Sequence, residues 1–181
     1  MKIKFIQLLN AATMIFPFFA WRRNRILSSN IIHKIMIFHI PISTLFHLTS
    51  AFLNNKSRIV SILQHSDVFL IHLSSVTGTI SVIKTLFPRR KILVKFLWLS
   101  GILHIRSFIY NIKYDNGNYR SFLLLVNTIP VIYKRKVSKK TVFHIILAYK
   151  LYHFNNVLII GHSCFHMILY NIYNDYFLIF K

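Results

Sequence analysis

Three short stretches hold the residues able to do metal or acid–base chemistry: Ser43-Thr44-Leu45-Phe46-His47, Leu63-Gln64-His65-Ser66-Asp67 and Gly161-His162-Ser163-Cys164-Phe165-His166. His162 and His166 stand four apart. On a helix this puts both imidazoles on one face, a turn from each other, and such a pair can grip a metal ion from one side. The chain has ten histidines, so the pair carries little weight alone. It gains weight from the other two stretches. His47 would complete a set of three neutral imidazoles, which together with a water make an open catalytic zinc site. Zinc in such a site lowers the pKa of its water to about 7 and polarises a carbonyl. A carboxylate beside it, here Asp67, can take or steer the water's proton. The hydroxyl of Ser43, one turn before His47, can hold that water or a developing oxyanion. The expected site therefore has His47, His162 and His166 as metal ligands, Asp67 and Ser43 as catalytic groups, and zinc as the cofactor.

Each of these residues also has a plainer reading. The histidine pair can serve as polar contacts between helices, and His47 as a hydrogen-bonded histidine within a bundle. Asp67 can pair with a neighbouring Lys or Arg, and Ser43 can pack between membrane helices. His33, His39, His65, His72, His104, His144 and His153 show no ligand spacing and read as structural, with His65 placed to support the site from behind. Cys164 points off the face shared by His162 and His166 and reads as packing. As the single cysteine it can form no internal disulfide.

The elements that must position these residues follow from composition. The chain is 55% hydrophobic with a mean hydropathy of +0.52, more than a soluble domain of 181 residues can use. A net charge of +20 points first to nucleic acid. The basic residues, however, gather in short runs between apolar segments, the pattern of loops in a multi-span membrane protein. The expected fold is an all-α membrane protein, one domain forming a bundle of seven transmembrane helices, with spans at about 5–21, 31–52, 67–87, 92–110, 121–133, 141–154 and 156–179. Asp67 stands at the mouth of the third span, and the fifth and sixth are short for a crossing. Seven crossings bring the end of the second span and the starts of the third and seventh to one side of the membrane, which puts His47, Asp67 and the His162/His166 pair at one depth. Loops on the opposite side hold Arg22, Arg23, Arg25, Arg89, Arg90, Lys91, Lys134, Arg135, Lys136, Lys139 and Lys140, against Lys56, Arg58, Lys113 and Arg120 on the near side. That excess predicts the cluster and the N-terminus outside or in a lumen. The basic runs read as orienting charges that also touch anionic lipid, so the expected partners are membrane lipids and not nucleic acid.

The Ser-x-x-x-His, Asp and His-x-x-x-His set resembles that of the CREST superfamily of seven-span membrane proteins, which includes the alkaline ceramidases and the progestin/adipoQ receptors. Within it the chain is most similar to the transmembrane protein 8 / myomaker family. The similarity rests on Trp21-Arg22-Arg23, Phe46-His47, Leu63-Gln64-His65-Ser66-Asp67 and His162-Ser163-Cys164-Phe165-His166. The resemblance implies either a zinc-dependent hydrolase of a lipid ester or amide, or a non-enzymatic multi-pass protein of the myomaker type. In the second case a structural zinc would tie helices together and the protein would act in membrane interaction or fusion.

Overall fold

A computed structural model describes the chain over 2–53, 57–89 and 161–180 and at scattered positions within 91–109 and 143–151. Its elements are α1 (Lys2–Thr13), α2 (Ile15–Arg23), a 3-10 turn (Arg25–Leu27), α3 (Ile31–Phe52), α4 (Arg58–Leu86) and α5 (Gly161–Leu178). The scattered positions are helical too, and no strand occurs among the described residues. The all-α expectation therefore holds. Two helices among the described residues are long and apolar enough to cross a membrane, Ile31–Phe52 and Arg58–Thr85. Of the other expected spans, the one at 121–133 lies outside the described residues, as do most positions of those at 92–110 and 141–154.

The first expected span, 5–21, is two helices and not one. Pro17 has no N–H to offer the carbonyl of Thr13, and its ring crowds that carbonyl. The ladder breaks at Met14, and the Thr13 hydroxyl turns back to donate to Asn10 O at 2.9 Å. The third span also differs. Its helix begins at Arg58, so Asp67 sits in the third turn and not at the mouth. A bare carboxylate is costly within an apolar helix, which is why the sequence reading starts the span there. The helix continues past it because Asp67 has buried hydrogen-bond partners on α3.

Local rules account for the rest. Asn30 starts α3 by accepting from Ile32 N at 2.9 Å. In α4 the hydroxyls of Thr77, Thr79, Ser81 and Thr85 each donate to the carbonyl four residues back, at 2.7–3.0 Å. A helix rich in Ser and Thr thereby presents few unsatisfied groups to apolar surroundings. Gly78 lets α4 close on α3, since a Cβ there would lie 3.0 Å from Ile32 Cδ1.

Register fixes the helix directions. Asn10 meets Ser163, Thr13 meets His166, Arg23 meets Tyr170 and Asn24 meets Asn174. The α1–α2 unit therefore runs parallel to α5. On α3, His47 lies beside His162 and His33 beside Phe177, so α3 is antiparallel to α5. Asp67 meets His39 and Gly78 meets Ile32, so α4 is antiparallel to α3. At one end of the bundle Ala20, Ile32, Ile35, Met36 and Phe177 form an apolar core. The histidines lie towards the other end.

Candidate metal centre

The inward stripe of α3 is Ile32, Ile35, Met36, His39, Ser43, His47, Ser50 and Ala51, spaced three and four apart. It starts apolar and turns polar. His39, Ser43 and His47 form one row at four-residue steps, each side chain a turn above the last. α5 presents His162 and His166 to the upper end of that row, and α4 presents Asp67 to its middle.

Among the described residues, His47, His162 and His166 form a group whose ligand nitrogens all lie within 4.8 Å of one another. Their ring centroids are 5.0 Å apart for His47–His162, 5.4 Å for His47–His166 and 4.6 Å for His162–His166. Tetrahedral zinc with bonds of about 2.0–2.1 Å needs nitrogens roughly 3.3 Å apart. The three are close enough together to serve one ion. The group is deeply placed, with His47 2% and His166 3% exposed.

The outer nitrogens of two rings are already occupied, and by α1. His47 Nδ1 lies 2.8 Å from Gln7 Oε1. An amide oxygen only accepts, so Nδ1 carries the proton and the lone pair is on Nε2. That Nε2 is buried with no hydrogen-bond partner, as expected of an atom waiting for an ion. His166 Nδ1 lies 3.1 Å from the backbone oxygen of Asn10 and 3.0 Å from Thr13 Oγ1. The Thr13 hydroxyl proton already goes to Asn10 O at 2.9 Å, so His166 Nδ1–H donates to both oxygens and its lone pair is also on Nε2. Three imidazoles, two of them with Nδ1 occupied and the lone pair on Nε2, fit a borderline-soft ion such as zinc. No family model, curated protein or solved structure matches this chain. What the centre can do rests on its own geometry.

Asp67 is 6% exposed and Ser43 2%. Among the described residues the partners of Asp67 are His39 and Ser43, not a lysine or arginine. His39 Nε2–H donates to its Oδ1 at 3.1 Å, and the Ser43 hydroxyl donates to the same carboxylate. The carboxylate lies within electrostatic reach of both His47 and His162. The five expected site residues thus come together, with one change of role. The Ser43 hydroxyl proton is committed to Asp67, so Ser43 positions the carboxylate and is not a free donor for an oxyanion.

The sequence reading missed His39, Gln7, Asn10 and Thr13. His39 had a signal, because His39-x-x-x-Ser43-x-x-x-His47 extends the same four-residue spacing by one turn. The α1 residues had none, since Gln, Asn and Thr are ordinary polar residues of membrane helices. His65 Nδ1–H donates to Ser61 O of its own helix at 2.7 Å. Cys164 is a half-buried free thiol.

Proposed function

We propose that the chain is an integral membrane protein of the CREST type whose three-histidine centre holds zinc and hydrolyses an ester or amide bond of a membrane lipid. The observation that carries this reading is the buried Asp67, held by His39 and Ser43 beside the three imidazoles. A metal that merely ties helices together needs no such acid. Zinc in a three-imidazole site supplies an acidic water and an electrophile for a carbonyl. This chain's residues supply the rest. Asp67 accepts the proton of the attacking water and passes it to the leaving alkoxide or amine. His39, donating at 3.1 Å, and Ser43 hold the carboxylate in register. Gln7 and Thr13 hold the ligand rings.

The membrane placement is supported by exposure. In each of the two long apolar helices only 39% of the apolar window is buried within the protein. Phe5, Phe38, Phe52, Ile62 and Phe69 are exposed, an apolar surface that suits lipid. The helix directions support the parity of seven crossings, because first, third and seventh spans must run parallel and the second against them. One observation favours the non-enzymatic, myomaker-type reading with a structural zinc: the depth of the centre, where His47 and His166 are 2% and 3% exposed.

Asp67→Asn separates the two readings. In a hydrolase this variant folds, keeps its zinc and loses turnover of ester- or amide-linked lipids by roughly a hundredfold, the scale of a lost general base. If purified wild type with zinc bound turns over no such lipid, the hydrolase reading falls and the structural one stands.

A further inference from the structure

The centre has three imidazoles from α3 and α5, yet the contacts that orient two of them come from a third element with no ligand of its own. We infer that α1 is the outer layer of the metal centre, with Gln7 and Thr13 as positioning residues that set which nitrogen binds metal and how tightly. This rests on the proposed zinc reading and deepens it. Gln7 Oε1 meets His47 Nδ1 at 2.8 Å. Three and six residues later, Asn10 O and Thr13 Oγ1 meet His166 Nδ1 at 3.1 and 3.0 Å. The break at Met14 makes the second contact available. Pro17 strips the ladder at Thr13 of its usual donor, and the Thr13 hydroxyl bends back to Asn10 O, which leaves both oxygens on one side of the helix end facing His166. α1 is pinned in that register by a fourth bond, from Ser163 Oγ to Asn10 Oδ1 at 2.6 Å. A helix serving only as packing would have no reason to aim two acceptors at the two outer nitrogens. An acceptor on Nδ1–H fixes the tautomer, holds the ring plane and makes Nε2 a better donor, and losing such a partner typically weakens metal binding 10–100-fold.

The test is a zinc titration of the full-length protein in detergent against a chromophoric chelator, with metal-free thermal unfolding as a control. Gln7→Met, which keeps the volume but removes the acceptor, is expected to weaken zinc binding 10–100-fold. Gln7→Glu can only accept, and it is expected to bind at least as tightly as wild type. Thr13→Val leaves Asn10 O as an acceptor and is expected to show a smaller loss, under about tenfold. Gln7→Met and Gln7→Glu binding zinc alike, or both falling in step with metal-free stability, reduces α1 to packing and overturns the inference. Wild type binding no zinc overturns the reading beneath it, a separate result from zinc bound equally by every α1 variant.

Discussion

The energetic coupling of His39 to Asp67 can be measured with leucine replacements. Both side chains are under 10% exposed, and 3.1 Å separates His39 Nε2 from Asp67 Oδ1. His39→Leu removes the imidazole and leaves a buried carboxylate with Ser43 as its remaining donor. Taking a hydrogen-bond donor away from a buried group costs about 1–3 kcal/mol, and more for a charged one. Because the group is a carboxylate but Ser43 stays, about 3 kcal/mol applies. For a domain of this length that lowers the melting temperature by about 6–12 °C. Asp67→Leu alone leaves the His39 N–H and the Ser43 hydroxyl without their acceptor and costs about 1–3 kcal/mol. The double variant removes both ends of the pair. Ser43 can then donate to the carbonyl of His39, four residues back in its own helix, so the double variant is expected to melt close to wild type. The two single losses, set against a double variant near wild type, give a coupling of about 4–6 kcal/mol. The assay is thermal unfolding in detergent followed by circular dichroism. Single-variant losses that add to within about 0.5 kcal/mol in the double variant would show that the two residues do not act as a pair, and the account of how Asp67 is tolerated inside α4 would have to be abandoned.

Two further outcomes follow from the same contacts. Zinc at a hundred times its dissociation constant should raise stability by about 2.7 kcal/mol, so chelation should lower the melting temperature by about 5–10 °C; His47→Ala should abolish this response, and a response that survives it places the ion elsewhere. Asn10→Ala leaves the Ser163 hydroxyl, 3% exposed, without its acceptor and should cost about 1–3 kcal/mol, while adding Ser163→Ala should restore most of the loss; a double variant as unstable as the single one would show that the hydrogen bond is not what joins α1 to α5.

The three-histidine group was legible in the sequence because the four-residue step of His162 and His166 maps directly onto a helix face. Their meeting with His47 depended on helix direction, which parity of the spans predicts; one crossing more or fewer would have turned α5 around and carried His162 to the far end from His47. Three things were not legible. The break at Met14 needed the competition between Pro17 and the Thr13 hydroxyl to be weighed in place. The start of α4 at Arg58 needed knowledge that Asp67 had a partner, and that partner, His39, was set aside because pair spacing was sought and a row of three was not. The contacts of Gln7 and Asn10 are tertiary, and no local pattern marks a glutamine as the acceptor for a histidine forty residues away.

The order in which the helices occur along the chain bears on how the protein is made. Gln7, His47, His39 and Asp67 all leave the ribosome early, and their pairings need nothing that comes later. The second and third imidazoles do not arrive until α5 is synthesised; Thr13 and His166 are 153 residues apart. At the usual pace of translation α5 follows α3 by on the order of ten seconds. Through that interval the nascent chain holds one ligand of the three and cannot retain an ion tightly. On the proposed zinc reading, metal capture therefore waits for α5. A chain that stalled before α5 would then hold no zinc, so zinc content would report the arrival of α5 in a way that helical content does not.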